Sequence, residues 1–162
     1  MKIVSDTGPL IGLAKIGNIF LLKSIAEEVL IPPIVHKELF GKVGPESKEI
    51  DRALNDFLRI TDVPSIKQTI KNAIADLGEG EGQAISLAFA HKKDVLLLLD
   101  DRSGRQVAAK LNIPTTGLVG LLLLAREKGL IEKVGSFIEE LRDNGYWLSD
   151  DVIIVTKKLA GE

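Results

Sequence analysis

Two apolar runs in the chain end on aspartate: Lys2-Ile3-Val4-Ser5 stops at Asp6, and Val95-Leu96-Leu97-Leu98-Leu99 stops at Asp100 and Asp101. In a parallel sheet covered on both faces, strands read as continuous apolar runs and ligands sit outside their carboxyl ends. Helical projection adds two more acids. At about 100° per residue, Glu38 falls between Ile34 and Val35 on the inward face of the stretch Pro33 to Phe40. Glu81 shares a stripe with Ala84, Ile85 and Ala88, whereas Glu79 points the other way. Carboxylates are hard oxygen donors, suited to Mg2+ or Mn2+, and such a site activates water and steadies the charge that develops on phosphorus. The chemistry this set of acids points to is phosphodiester hydrolysis.

Each acid has a plainer explanation taken alone. Asp6 and Asp100 are placed to cap helices, and Glu81 is placed to favour a helix N-terminus. A buried unpaired carboxylate is costly, so Glu38 needs a cation, a partner such as Lys42 four residues on, or an exposed edge. Capping does not account for the combination of two strand-end aspartates with two inward glutamates. Either Asp100 or Asp101 can face the cleft; Asp100, the first residue beyond the strand, is favoured. The Thr7 hydroxyl could join the metal shell, with a helix-start cap as the stronger alternative. Arg102 and Arg105 follow the strand-end acid and could meet backbone phosphate, or simply face solvent. The chain has no cysteine, and His36 and His91 lack ligand spacing, which argues against zinc.

These residues need elements to position them. After the first strand a helix is expected from Leu10 to Ile16 and a second from Ile19 to about Glu28, then a strand at Val29 to Ile31. Pro33 suits a first helical turn, because its missing N–H has no partner there, and that helix runs to Phe40. The reading continues with a helix from Glu46 to Asp56, a strand near Leu58 to Thr61, and a helix capped by Ser65 and ending near Leu77. Helices follow from Glu81 to His91 and Ser103 to Leu111, separated by the strand Val95 to Leu99; a short strand lies near Ile113 to Thr116. Helices over Leu118 to Lys128, Ile131 to Arg142 and Asp150 to Leu159 close the chain. Strands alternating with helices imply right-handed βαβ units and a mainly parallel sheet.

At 162 residues, with 45% apolar and 27% charged residues, the chain is expected to form one domain over residues 1–162. A net charge of −2 gives no sign of a globally basic nucleic-acid binder, yet it counts carboxylates that a metal would neutralise. Asp6 interrupts any signal-peptide core, and the longest apolar stretch, Gly117 to Ala125, is about half a bilayer span. Neither a membrane segment nor a disulfide framework is expected, and a cytoplasmic location follows. The helix around Leu118, Leu121, Leu122, Leu123 and Leu124 is apolar on nearly every side, and because a domain of this size rarely buries such a helix completely, a homodimer is expected, with simple core packing as the alternative.

Four segments in order resemble the successive motifs of PIN-domain proteins. They are Ser5-Asp6-Thr7-Gly8-Pro9-Leu10-Ile11, Ile31 to Leu39, Gly80-Glu81-Gly82-Gln83-Ala84-Ile85-Ser86-Leu87-Ala88, and Leu98-Leu99-Asp100-Asp101-Arg102-Ser103-Gly104-Arg105. The resemblance covers residues 1 to about 148, including Thr116-Gly117, Gly120 and Gly145-Tyr146-Trp147-Leu148, and is strongest to a prokaryotic subfamily related to toxin nucleases of toxin–antitoxin pairs. It implies a Rossmann-like α/β/α sandwich and a Mg2+- or Mn2+-dependent ribonuclease acting on single-stranded RNA, with a small antitoxin as a partner. Motif by motif, it implies Asp6, Glu38, Glu81 and Asp100 as catalytic and metal-binding acids, with Thr7 and Asp101 beside them. Gly82 and Gln83 stand where the subfamily often has alanine and a second acid, so no ligand is assigned at position 83.

A non-catalytic PIN-like scaffold or nucleic-acid-binding protein is the alternative, and a phosphoryl-transfer hydrolase of small substrates is a third reading. The complete set of four acids favours the nuclease. Other features carry less. Gly78-Glu79-Gly80-Glu81-Gly82 follows a helix, not a strand, so it is no dinucleotide loop. Ser149-Asp150-Asp151 reads as a helix start with Leu148 stapled onto Ile153. An aromatic content of 4% offers little surface for base stacking.

Overall fold

The apolar runs form strands β1 (Lys2–Ser5), β2 (Glu28–Ile31), β3 (Leu58–Ile60), β4 (Val95–Leu98) and β5 (Thr115–Thr116), all parallel, in the order β3-β2-β1-β4-β5. The computed structural model describes residues 1–41 and 44–162. Side chains alternate across the sheet, and each face has its own core. Ile3, Val29, Ile31, Leu58 and Leu98 point to one side; Val4, Leu30, Val95, Leu97 and Leu99 belong to the other. Because both faces are buried at the centre of the sheet, β1, β2 and β4 are largely apolar without alternation, which is why they stand out in the sequence, whereas the edge strands β3 and β5 are more polar and more exposed.

On the first face lie helices α1 (Thr7–Lys15), α2 (Leu21–Ile25), α3 (Pro33–Phe40) and α4 (Pro45–Leu54). The second face is covered by α6 (Glu79–Ala90) and α7 (Arg102–Lys110), with α5 (Gln68–Ile74) beside them. The last three helices, α8 (Leu118–Glu127), α9 (Val134–Asp143) and α10 (Asp150–Leu159), complete the first layer. The result is the three-layer α/β/α sandwich with a parallel sheet that the sequence led us to expect.

Several expectations change. The second helix is five residues, not ten, because Glu28 pairs in register with Lys2 and so begins β2. Ser65 caps nothing: Thr61 to Lys67 has no regular structure, Val63 packs on the second core, and α5 starts at Gln68 after Lys67. Glu79 does lie in α6, exposed as its projection requires. Ser149 caps α10 by accepting from the Val152 N–H at 3.2 Å, and Leu148 packs on the core that contains Ile153.

The dimer expectation for α8 loses its premise. Leu118, Leu121 and Leu122 are fully buried against α9, α10 and the sheet, and Leu123 and Leu124 are only half exposed. No helix among the described residues is long and apolar enough to cross a membrane.

Candidate active site

Strand order reverses direction between β1 and β4: from β1 the chain moves to β2 and β3 on one side, then crosses to β4 and β5 on the other. In a doubly wound sheet such a switch point opens a crevice outside the carboxyl ends of the strands. Asp6 immediately follows β1, and Asp100 follows β4 by one intervening residue, so both aspartates stand at that crevice. Ladder bonds fix their spacing. Ser5 pairs with Leu98, the Asp6 N–H donates to the Leu98 carbonyl at 3.1 Å, and the Leu99 N–H donates to the Thr116 carbonyl at 2.9 Å.

Neither aspartate caps the helix that follows it. Asp6 occupies the position before α1 without a side-chain hydrogen bond to it. Asp100 reaches across to α8, where its Oδ1 accepts the Leu118 N–H at 2.8 Å, and its buried Oδ2 has no hydrogen-bond partner among the described residues. The cap of α7 is Asp101, whose Oδ2 accepts the Gly104 N–H at 2.7 Å. The two neighbours therefore differ in surroundings: Asp100 is held by α8 and lines a cavity, whereas Asp101 is engaged in capping α7.

The glutamates arrive on helices. Glu38, on α3, is exposed rather than inward; its Oε2 accepts the Thr7 hydroxyl. Projection places it on the buried face with Ile34 and Val35, but with α3 packed against α1 and α6 that position remains exposed. Lys42, the partner considered for it, lies outside the described residues. Thr7 therefore neither caps α1 nor stands alone at the site: it ties the end of β1 to α3. Gly80, at the start of α6, lets these acids approach. A Cβ there would stand 2.8 Å from Glu38 Oε1 and 3.4 Å from Asp6 Oδ1. Glu81, half-buried, lies on α6 with its carboxylate beside Gly78.

The acids share one electrostatic field. Burial raises the Asp6 carboxyl from 3.8 to about 6, the Thr7 amide opposes the rise, and Glu38, Glu81 and Asp100 add to it. Burial also raises Asp100, against the pull of the Leu118 N–H and Arg105. Glu81 is raised by burial and then by Asp101 and Glu38. Taking carboxylates out of water and setting them near one another disfavours their charged forms, unless a cation compensates.

Arg105 is committed in part: its Nη1 donates to the Leu99 carbonyl at 3.3 Å and to the Asp100 carbonyl, clamping the turn after β4. Arg102 is exposed and faces no assigned group. Arg105 also lines a cavity of about 690 Å3 that runs from Asp100 past Gly117 to Tyr146 and Trp147. Residues 2–162 match the family model of the PIN domain. The chain belongs to the PIN-domain family. No curated protein matches it. Membership places the chain in a nuclease-like family, and a nucleic acid is the ligand class that goes with it.

A divalent metal is what PIN domains typically use, so the donor set of this PIN domain bears on the question. Hard oxygens only, a buried Asp100 Oδ2 unpartnered among the described residues and an Asp6 carboxyl pushed up by burial and then by three neighbouring acids fit a hard cation. Among the described residues, no three His, Asp or Glu side chains are grouped so as to hold an ion by themselves. Mg2+ keeps several of its waters and takes few protein ligands, so the donors fit an ion bound by one or two carboxylates and by water to the others. Missed from sequence were the Leu118 amide that orients Asp100 and the Thr7–Glu38 link. The first left a trace, the glycine before an apolar helix; the second left none.

Proposed function

We propose that this PIN domain is a Mg2+- or Mn2+-dependent endoribonuclease that hydrolyses phosphodiester bonds of single-stranded RNA. The observation that carries the reading is the pair Asp6 and Asp100 at the switch point, with Asp100 Oδ2 buried and unpartnered among the described residues. Asp6 and Asp100 would hold the ion, with Glu38 and Glu81 completing its surroundings through water. Bound there, the ion supplies an activated water and charge neutralisation at phosphorus.

The chain's own groups do the rest. The Leu118 N–H fixes the orientation of Asp100 through Oδ1 and leaves Oδ2 buried without a hydrogen-bond partner among the described residues. Thr7 holds Glu38 beside Asp6. One of the four carboxylates Asp6, Glu38, Glu81 and Asp100 would also orient the attacking water as general base. Arg105 keeps further N–H donors beyond Nη1 for a backbone phosphate in the cavity it shares with Asp100.

A role as a toxin restrained by a small antitoxin, and assembly as a homodimer, extend this proposal. The first is supported by the motif resemblance. The second has in its favour the exposed Val152, Val155 and Leu159 of α10 more than α8. The non-catalytic reading draws support from the lack of a three-acid grip on an ion among the described residues.

RNA cleavage with Mg2+ or Mn2+, with and without EDTA, separates the two. Wild type should cut only with metal, and Asp6→Asn and Asp100→Asn should each lose about 100-fold or more in rate. Undiminished cutting by those variants would show the assigned site to be wrong, and no cutting by wild type would favour the scaffold reading.

A further inference from the structure

Trp147 is the only tryptophan of the chain and is 84% exposed, although its neighbours Tyr146 and Leu148 pack on the core. The segment between α9 and α10 thus turns one large flat side chain outward while anchoring itself on both sides. That indole lines the cavity that reaches Asp100 and Arg105. The cavity lining divides in kind: Val119, Trp147 and Val152 are apolar, while Asp100 and Arg105 bring a carboxylate and a guanidinium. A nucleotide has the same division, a flat base at one end and an anionic phosphate at the other.

We propose that Trp147 is a stacking platform for a nucleobase of the single-stranded substrate, holding the nucleotide whose phosphate lies at Asp100. The inference rests on the nuclease reading above and deepens it. Stacking on an indole is tolerant of base identity, so Trp147 supplies affinity and position without sequence preference. The rigid anchor of Tyr146 matters too: its ring sits against Gly12 of α1, where a Cβ would come within 3.0 Å of it, so the platform is fixed relative to the end of β1. A protein partner is the competing occupant. The exposed Val155 and Leu159 of α10, which do not line the cavity, would then belong with Trp147 to one interface.

Because the indole is unique, emission excited at the red edge of the absorption band, where Tyr146 does not absorb, reports on it alone. A short 2′-O-methyl RNA, which resists cleavage, should quench the emission in the presence of Mg2+, and an abasic strand of the same length should not. Trp147→Ala should raise KM for RNA roughly 5- to 100-fold with kcat changed less than about threefold, and Trp147→Phe should recover most of the loss. An exposed residue can be removed without unfolding, which circular dichroism verifies. Absence of quenching with KM unchanged in Trp147→Ala overturns the proposal. Emission that shifts with protein concentration and ignores RNA also overturns it, in favour of a protein interface. Quenching without any cleavage by wild type removes the nuclease reading and leaves the platform standing; cleavage without quenching does the reverse.

Discussion

Asp6 holds its charge at a cost. With its carboxyl raised from 3.8 to about 6, the side chain contributes stability that is fully present below about 3.8 and is lost as pH rises through about 6. In metal-free protein at neutral pH that loss amounts to as much as about 3 kcal/mol. Asp6→Asn should therefore raise the Tm of the EDTA-treated protein at pH 7 while removing activity, and the gain should vanish near pH 4. An unchanged Tm would mean that burial and the neighbouring acids disfavour the Asp6 charge less than their placement implies. The two consecutive aspartates make a second contrast at this scale. Asp101→Ala should cost about 1 kcal/mol through loss of the α7 cap, with cleavage largely kept; Asp100→Asn should spare stability and abolish cleavage. Thermal melts and initial rates on both variants distinguish cap from catalytic group. Sequence favoured Asp100, but only the Leu118 amide on one and the Gly104 amide on the other separate their roles.

At the scale of elements, the site is a meeting of the end of β1, the end of β4, α3, and the N-termini of α6 and α8. Gly80 is where this crowding is tightest, since a Cβ would press on the tip of Glu38 and come near Asp6. Gly80→Ala should leave stability within about 1 kcal/mol, because a flexible carboxylate can move aside and alanine favours helix. It should lower the cleavage rate and weaken stabilisation by Mn2+, read as a smaller rise of Tm on adding the ion. Equal rates and equal metal response would place Glu38 outside the working site. The helix projection that singled out Glu38 was right about its neighbours and wrong about its burial. Three residues of one helix define a face, but the rim of that face is set by the packing of α3 on α1 and α6. The second and fifth helices were misjudged for a related reason. Register with Lys2 claims Glu28 for β2, and Val63 draws its segment onto the second core.

For the whole molecule, opposing titrations shape the response to pH. The side chain of Glu162 accepts the Val134 and Gly135 N–H groups at 2.8 and 2.9 Å and lies near Arg126, so it joins α8 and α9 to the segment after α10. Burial alone would raise that carboxyl, but the amides of Gly135 and Val134 and the charges of Arg126 and Lys133 more than offset it and hold it below its ordinary 4.5. Its stabilising contribution is present above 4.5 and is lost as pH falls through the lowered value, opposite in sense to Asp6. Metal-free protein should be most stable at about pH 4, between the 3.8 below which the Asp6 contribution is full and the 4.5 above which that of Glu162 is full. Glu162→Gln should flatten the acid side of that curve and Asp6→Asn the neutral side, as thermal unfolding against pH will show. By itself the sequence determined the layered α/β class, the strands β1 and β4 and the acids at their ends. A strand buried on both faces must be a continuous apolar run, and a carboxylate ending such a run is legible without coordinates. Only the tertiary structure decided that those two strands lie side by side at the switch point, that Asp100 turns to α8 while Asp101 turns to α7, and that α8 is covered within one chain. Those outcomes depend on strand order and on amides distant in sequence, which no local pattern encodes.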